Sequence, residues 1–266
     1  MGASDLRLRV LGTRGSLAIS GEDYREFGGN TSCYMVQAGE ETIFLDAGSG
    51  IFSAPDRFSR PPVILLSHLH LDHVIGLGMF PAISRKGQRI SIHVPFCRDA
   101  QEACEQLDRL YAPPFWPVKL REMGAEPEIL PVPERFCIGE VRVETMAGSH
   151  PGGSIVYKLR YAGRTLVYAT DYEHSDASDA ALAAFARGAD LLLYDAQFEP
   201  REYERKKGFG HSTAEKGRAL MESAGIRRML LIHHDPKSTD DLLRQREALL
   251  PTDRVSMARE GQVILL

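Results

Sequence analysis

The chain has 266 residues, 43% of them hydrophobic, and a formal net charge of −4 at pH 7. Enough apolar residues are present for a sizeable core, so we expect one folded domain over residues 1–266. The acidic balance excludes the broad positive surface of a sequence-independent nucleic-acid-binding protein, so any nucleotide ligand must be held locally.

The sequence also predicts where in the cell the protein resides. No basic segment followed by an apolar core opens it, and no uncharged apolar run reaches the roughly 18 residues that cross a membrane. The four cysteines lack CxxC spacing, which is typical of reduced thiols. We therefore expect a cytoplasmic protein that does not bind membranes.

Strand-like apolar runs, separated by glycine-rich turns, dominate the first half of the chain. They occupy residues 6–12, 32–39, 41–48, 62–68 and 89–95, and five more follow at 140–148, 154–163, 164–171, 190–196 and 228–234. Helical spacing of Ala, Leu and charged residues predicts helices at 98–111, 176–187, 213–224 and 239–249. Many strands with a few interspersed helices indicate an α/β (α+β) protein with two sheets that helices cover.

Two of these helices have capping residues at their predicted starts. Ser212 or Thr213 begins one, and Ser238 or Thr239 begins the other. By contrast, residues 111–120 (YAPPFWPVKL) place prolines beside aromatic residues that include the only Trp. This irregular segment either overhangs a pocket or forms a packed surface loop.

The strongest chemical signal is LLSHLHLDHVIGLG at residues 65–78. His68 and His70 alternate with a leucine directly after an apolar strand, and Asp72 and His73 follow as the chain turns. Packing disfavours buried imidazoles and carboxylates unless something compensates them. Four ligand-type residues on a short loop at the carboxyl end of a strand therefore predict a metal site.

Three further strand ends carry ligand-type residues. These are His150 in TMAGSHPGG, Asp171 in LVYATDYEH, and either His233 or His234 in LLIHHDP. A carboxylate can bridge two cations while neutral imidazoles fill the remaining positions. The sequence therefore suggests two divalent metal ions. Zinc (Zn2+) is expected, with manganese and iron as alternatives, because His/Asp sites accept all three.

These residues resemble a known family. HLHLDH matches the HxHxDH signature of the metallo-β-lactamase superfamily, and the later histidines and aspartate match its dinuclear branch. GHSTAEKGRAL resembles a motif of the ribonuclease Z-like phosphodiesterases, and LGTRGS and FGGNTSCYMV look like the entry of a bacterial group within that branch. The resemblance implies the metallo-β-lactamase fold, a four-layer αβ/βα sandwich.

The resemblance also implies a role for each motif residue. The first ion would be bound by His68, His70 and His150, the second by Asp72, His73 and His233, and Asp171 would bridge them. His233 is preferred over His234 because, like the family's last ligand, it directly follows the apolar strand. Asp46 in FLDAG resembles a carboxylate that orients ligand histidines, although an Asp before Gly is also an ordinary turn residue.

The charge of such a site favours a phosphodiester monoanion. Two divalent cations bring +4, while Asp72, Asp171 and a bridging hydroxide bring −3, which leaves about one positive charge. The ions would make hydroxide available as an in-line nucleophile, and Asp72 would steer the proton of that water. His211, which matches the family's catalytic HST histidine, would protonate the leaving alkoxide from a helix N-terminus.

The substrate is expected to be small rather than a long nucleic acid. In the tRNA-processing members, a long arm that grips tRNA lies between the third metal histidine and the bridging aspartate. Only twenty residues separate His150 from Asp171 here, and two predicted strands fill them. A basic run at 201–211 could meet phosphate, but such a run is more typical of a solvated face.

Within this branch, small cyclic phosphodiesters are the expected substrates. Cyclic nucleotides are cleaved by class II-type phosphodiesterases and by the phage-related anti-Pycsar esterases that this sequence also resembles. The aromatic residues that could stack a base are Phe115, Trp116 and Phe209, although packing explains them equally well. Members of the branch are commonly dimers, so a homodimer is expected as well.

Three alternatives would use the same metal ligands. A ribonuclease Z-like RNA endonuclease or exonuclease would act on RNA, a glyoxalase II-like thioesterase would not need His211, and a metal-loaded nucleotide sensor would bind without turnover. A structural zinc domain is disfavoured, because closed structural sites rarely contain a bridging carboxylate. Of the remaining histidines, His93 is expected to pack within a strand, and His174 to lie beside the site or at the surface.

Overall fold

The computed structural model describes residues 5–250 and 253–266. Over these residues the chain forms two seven-stranded sheets. In chain order the strands are β1 (Leu6–Gly12), β2 (Cys33–Ala38), β3 (Glu41–Leu45), β4 (Val63–Leu65), β5 (Arg89–Val94), β6 (Glu126–Pro131), β7 (Arg135–Ile138), β8 (Val141–Gly148), β9 (Ser154–Tyr161), β10 (Arg164–Ala169), β11 (Leu191–Asp195), β12 (Arg228–Ile232), β13 (Val255–Met257) and β14 (Val263–Leu265).

Each sheet combines antiparallel and parallel pairs. The strand order is β14-β1-β2-β3-β4-β5-β6 in the first sheet and β13-β12-β11-β10-β9-β8-β7 in the second. Neighbouring strands are parallel from β3 to β6 and from β10 to β13. All ten predicted strand-like runs contain strands, whereas β6, β7, β13 and β14 were not predicted. Two prolines obscure the pattern of β6, and β13 and β14 have only three residues each.

The four predicted helices are confirmed and two short ones are added. The α-helices are α1 (Leu71–Val74), α2 (Ala100–Leu110), α3 (Asp176–Phe185), α4 (Pro200–Lys206), α5 (Ala214–Ala224) and α6 (Asp240–Ala248). Single 3-10 turns lie at Glu22–Tyr24, Ser49–Ser53, Leu77–Met79, Pro81–Ser84 and Leu120–Glu122. Neither short helix could be predicted from apolar periodicity. The first, α1, is a single turn, and α4 has the mostly polar sequence PREYERK.

Threonines, rather than the serines before them, begin two of the helices. The Thr213 side chain accepts a hydrogen bond from a backbone N–H of α5, and Thr239 does the same for α6. These bonds satisfy one of the N–H groups that a helix start leaves unpaired. Among the helices of the described residues, none is long and apolar enough to cross a membrane.

The sheets pack on each other, and helices cover their outer faces, which confirms the expected layers. Along β11, Leu191 and Leu193 enter the core between the sheets, while Leu192 and Tyr194 enter a second core with α3, α5 and α6. A third core joins the outer face of the first sheet to α2. Because both faces of these strands are buried, their sequences are continuous apolar runs rather than alternating patterns.

Candidate metal centre

The predicted ligands lie in the segments that follow the carboxyl ends of strands, with Asp72 and His73 in the short helix α1. His68 follows β4, His150 follows β8, Asp171 follows β10 and His233 follows β12. Asp46 follows β3 in the same way. Ligand sites in sheets with parallel strands are formed at this end, where loops from different strands meet. The fold therefore brings residues that are distant in sequence to one edge of the two sheets.

The backbone turns sharply at three of these strand ends. Asp46, Asp171 and His233 have φ angles of 60°, 47° and 62°. Residues other than glycine rarely adopt this left-handed region. Such conformations cost roughly 1–3 kcal/mol each and cluster at functional sites. Three of them in one place indicate that the backbone is held in this unfavourable conformation because it positions the three side chains.

The Asp171 carboxylate divides the cluster in two. Its Oδ2 lies 3.6 Å from Nε2 of His68 and 3.5 Å from Nε2 of His150. Its Oδ1 lies 3.1 Å from Nε2 of His73 and 3.1 Å from Nε2 of His233. One carboxylate therefore faces two separate sets of imidazole nitrogens.

Two more residues complete these sets. His70 joins the first through Nδ1, which lies 3.2 Å from Nε2 of His150. Asp72 joins the second, because its Oδ2 lies 3.1 Å from Nε2 of His73 and 3.2 Å from Nε2 of His233. Within each set, the ligand atoms lie within 4.8 Å of one another. The structure thus brings together all seven predicted ligands, namely His68, His70, Asp72, His73, His150, Asp171 and His233.

Hydrogen bonds on the far side of the rings orient the histidines of both sets. Asp46 Oδ2 accepts from Nδ1 of His73 at 2.6 Å and from the Ser67 hydroxyl at 2.7 Å. The Ser67 oxygen pairs with Nδ1 of His68 at 3.0 Å, and the Tyr168 hydroxyl donates to Asp46 at 2.6 Å. With Nδ1 carrying the proton, each imidazole presents Nε2 to the cluster. These contacts are those expected of a carboxylate that orients ligand histidines.

Two neutral acceptors act in the same way on the other histidines. Nδ1 of His233 donates to Oε1 of Gln197 at 2.9 Å, and Nδ1 of His150 donates to the backbone oxygen of Gly210 at 2.9 Å. Neither acceptor was predicted, because glutamine and glycine have no ligand character in a sequence. The glycine-rich stretch KKGFGH before His211 is the signal that could have drawn attention to Gly210.

The donor set fits divalent cations. Nε2 of His68 is buried and has no hydrogen-bond partner, a condition that is rare for buried polar atoms. Burial, with a smaller effect from His73, lowers the pKa of His68 to about 2, so the imidazole is neutral and its lone pair is available. Imidazole nitrogens with carboxylate oxygens suit zinc, manganese and iron. The cluster therefore has the properties of a divalent metal centre.

The second set is rich in negative charge. Burial opposes protonation of His73, but Asp72 and Asp171 outweigh it and raise its pKa well above the usual value. The same balance applies to His233, where Asp171 and Asp72 raise the pKa to about 9. Protons and cations compete for these Nε2 atoms, so binding of a cation releases protons from the imidazoles.

His211 adjoins both sets. Its ring stacks on His233 with centroids 4.9 Å apart, and lies 5.3 Å from the ring of His150. Its Nδ1 pairs with Oδ2 of the fully buried Asp195 at 2.8 Å, which leaves Nε2 available for proton transfer. Asp195 was not predicted, although it ends an apolar strand much as Asp171 follows one. That position is the signal that could have revealed it.

The other histidines lie outside the cluster. Nε2 of His234 donates to a backbone carbonyl at 2.9 Å, so of the two IHHDP histidines only His233 faces the cluster. His93 lies in β5 and packs against a phenylalanine ring at 5.0 Å. His174 is buried, and its Nδ1 pairs with the Ser212 hydroxyl of the HST motif at 2.8 Å. It therefore lies beside the site without facing the predicted metal ligands.

A carboxylate outside the cluster holds the loop before His211. Glu173 accepts from the backbone N–H of Gly208 at 2.7 Å and of Gly210 at 2.9 Å. The two glycines have similar left-handed conformations, with φ of 86° and 89°. Because the carbonyl of Gly210 accepts from His150, the same loop positions a predicted metal ligand and the predicted acid.

We expect Gly210→Ala to weaken metal binding about 10–100-fold, the usual loss when a partner of a ligand histidine is disturbed. A Cβ at Gly210 would clash with the imidazole of His150, whereas nothing lies within 4 Å of a Cβ at Gly208. Gly208→Ala is the matched control, because both changes carry the same left-handed strain of roughly 1–2 kcal/mol. Chelator competition measures the affinity and thermal unfolding measures the strain. Equal metal affinity in the two variants would contradict the positioning role of this loop.

Comparisons with known proteins agree with this fold. Residues 41–234 match the family model described as the beta-lactamase superfamily domain. Ribonuclease Z from Bradyrhizobium sp. (strain ORS 278) is 27% identical over 277 residues, which cover 84% of this chain and 90% of that protein.

Two solved structures share the fold. The metallo-beta-lactamase fold protein YhfI from Bacillus subtilis has a TM-score of 0.74 at 19% identity, over 98% of this chain and 100% of that chain. A diphosphatase from the PhnP family has a TM-score of 0.71 at 18% identity, over 97% of each chain.

Proposed function

The chain belongs to the beta-lactamase superfamily and is a metal-dependent hydrolase of its ribonuclease Z-like branch, and we propose that it hydrolyses small phosphodiesters with two divalent ions. The observation that carries the proposal is the division of the Asp171 oxygens between two sets of imidazole nitrogens. His68, His70 and His150 would hold one ion, Asp72, His73 and His233 the other, and Asp171 both. Zinc is the expected ion, because it binds imidazole nitrogens more tightly than manganese or iron does.

The chemistry divides between the ions and the side chains. Two bound divalent ions would lower the pKa of a water to near neutrality and offset charge that develops on the phosphoryl oxygens. The backbone N–H of Ser16 donates to Oδ2 of Asp72 at 2.7 Å and so fixes this carboxylate at the second set, where it would accept the proton of a metal-activated water. His211 donates a proton from Nε2 to the leaving oxygen, and Asp195 holds its ring in the required tautomer.

The surroundings of the site support a small substrate. The segment between His150 and Asp171 is taken up by the β9–β10 hairpin, so no arm for gripping RNA is inserted there. In the basic run 201–211, Lys207 pairs with Glu204 at 2.8 Å and Lys206 lies 3.6 Å from Asp235. Internal pairing leaves less positive charge to attract a polynucleotide.

We keep a ribonuclease as the second candidate, because the Bradyrhizobium relative is named ribonuclease Z and most of each protein is aligned. The two candidates differ in what they cleave. A ribonuclease of this type would cut a structured precursor RNA at low enzyme concentration, whereas a small-substrate enzyme would leave it intact and cleave small phosphodiesters.

Hydrolysis of bis(p-nitrophenyl) phosphate, cyclic AMP and cyclic GMP, with metal content measured on the same sample, tests the proposal. We expect turnover of small phosphodiesters with about two metal ions per chain, loss of turnover after chelation, and recovery on adding zinc. Metal without any phosphodiester cleavage would contradict the proposal. In that case, turnover of S-lactoylglutathione would favour a thioesterase, and tight cyclic-nucleotide binding without product would favour a sensor.

A further inference from the structure

An apolar cavity of about 570 Å³ opens beside the metal centre. Asp72 and Ser16 belong to its wall, so a molecule bound at the proposed metal sites would extend into it. Its volume lies in the range of roughly 300–1,000 Å³ that is usual for small-molecule sites. The large apolar side chains of the wall are those of Leu17, Phe52, Leu71, Ile75, Met79 and Trp116.

The apolar side chains of this cavity are unusually exposed. Leu17 and Phe52 are each 63% exposed, Leu71 56% and Met79 53%. Single exposed apolar residues are common, but a contiguous group around a concave site marks a surface that binds something apolar. The cavity therefore has unused apolar surface next to the reacting centre.

The polar groups of the cavity wall already have partners within the protein. Thr31 and Ser49 exchange hydrogen bonds, each side-chain oxygen accepting from the other's backbone N–H at 3.0 and 2.8 Å. The Ser49 hydroxyl donates to Oδ1 of Asn30, and the Asn30 amide donates to Glu260 at 3.1 Å. These groups are poorly placed to read the hydrogen-bonding edge of a nucleobase, because doing so would break existing bonds.

The charge of the cavity wall also favours an apolar occupant. Among the described residues of the cavity wall, Asp72 is the one with a formal charge, and it belongs to the predicted metal ligands. A second phosphate would find no cation in this wall, and its desolvation would be uncompensated. The occupant is therefore uncharged as well as apolar.

We propose that this cavity binds the non-reacting organic group of the substrate, and that the preferred substrates are phosphodiesters in which this group is an uncharged aryl or alkyl group. The proposal rests on the phosphodiesterase function above and narrows it. A polar nucleoside at the same position gains less than an aryl group of similar size, because its hydrogen-bonding groups lose water without finding partners.

The proposal also gives the irregular segment 111–120 a role. Trp116 packs against Tyr111 with ring centroids 5.3 Å apart and forms part of the cavity wall. Phe115, in contrast, is 75% exposed, and neither it nor Phe209 belongs to that wall. Of the three aromatic residues considered for stacking, only Trp116 is placed to contact a group in this cavity.

Three p-nitrophenyl phosphodiesters test the proposal. They have equal charge and the same reacting bond, and they differ only in the second ester group, which is methyl, phenyl or thymidine. We expect the phenyl ester to have a KM about ten-fold below that of the other two. Leu17→Ser and Phe52→Ser should each raise the KM of the phenyl ester more than they raise the KM of the methyl ester. Leu265→Ser is the matched control for Leu17→Ser, since Leu265 is 62% exposed on β14, outside the cavity wall.

Binding of methyl and phenyl esters of methylphosphonate, measured by titration calorimetry, separates this proposal from the proposed function. Turnover without a phenyl preference overturns the cavity proposal and keeps the phosphodiesterase. No turnover, but tighter binding of the phenyl phosphonate that Leu17→Ser removes, keeps the cavity and overturns the phosphodiesterase. If the cavity variants convert a dimer to a monomer and lower activity on all esters alike, the surface is an interface between copies and the proposal is wrong.

Discussion

Asp171→Ala is expected to lose both metal ions and all measurable phosphodiester hydrolysis. Each oxygen of this carboxylate faces a different set of imidazoles, at 3.1 Å on one side and 3.5 and 3.6 Å on the other. Loss of one donor to the reacting charge already costs roughly 10²–10³ in kcat, so a residue shared by both ions should cost at least about 10³-fold. Metal content by mass spectrometry and initial rates on one sample measure both losses.

Asp72→Asn is the informative companion of this variant, because the histidines that Asp72 faces, His73 and His233, both belong to the second set. We expect it to lose one ion and to retain the other. Asp171→Asn is the control for folding, since asparagine tolerates the left-handed backbone that Asp171 adopts, whereas alanine is strained there. Two ions still bound to Asp171→Ala would refute the shared position of this residue and, with it, the proposed pair of metal sites.

The parts of this site that the sequence predicts are those set by local pattern. HLHLDH is contiguous, and His150, Asp171 and His233 each follow an apolar run that forms a strand. Ligand-type residues after a buried strand meet at a sheet edge whatever the exact packing is. For that reason the seven residues can be grouped without knowing how the two sheets face each other.

The remaining parts depend on contacts between distant segments. Asp46 connects His73 with Tyr168 of the second sheet, and Asp195 holds His211 from a neighbouring strand. No local periodicity encodes such pairs, and no pattern reveals left-handed backbone at Asp46. The apolar cavity depends even more on distant contacts, because its wall is assembled from five separate stretches, at residues 16–18, 30–31, 49–52, 71–79 and 116. Each of these stretches looks ordinary alone.

The hairpin between His150 and Asp171 shows that the length of a segment alone can predict its structure. Twenty residues between two strand ends suffice for two strands and a tight turn, and β9 and β10 pair in antiparallel register from Tyr157 with Tyr168 to Tyr161 with Arg164. A protruding arm would need additional residues in this segment. All but a few residues of this segment belong to the sheet, so too few are left to form an arm that grips RNA.

His211→Ala is expected to keep both metal ions and to lower turnover by roughly 10²–10⁴-fold, the contribution usual for general acid catalysis. The side chain stacks on the ring of His233, and its ligand atoms lie within 4.8 Å of those of Asp171 and His233. Its Nδ1, however, is taken up by Asp195 at 2.8 Å, and it is not one of the seven predicted ligands. Metal content should therefore be unchanged. Rates on a phosphodiester with an alkyl leaving group give the activity measurement.

The leaving group distinguishes an acid from a residue that only supports the fold. An alkoxide is strongly basic and needs a proton as it departs, whereas p-nitrophenolate is stable without one. If His211 supplies that proton, His211→Ala should slow alkyl leaving groups far more than p-nitrophenolate. A structural role would slow both alike, and a thioesterase, which expels a thiolate, would keep nearly full activity.

His174→Asn is the matched control for His211→Ala. His174 is also a buried histidine, and it bonds Ser212, the neighbour of His211 in the chain, but it does not face the metal ligands. Asparagine can keep a hydrogen bond to the Ser212 hydroxyl, so turnover should change by no more than a few-fold. If both variants lose activity equally on every leaving group, the HST segment acts through its packing, and the proton must come from another group. If His211→Ala alone loses activity, and only on substrates with basic leaving groups, the proton comes from Nε2 of His211.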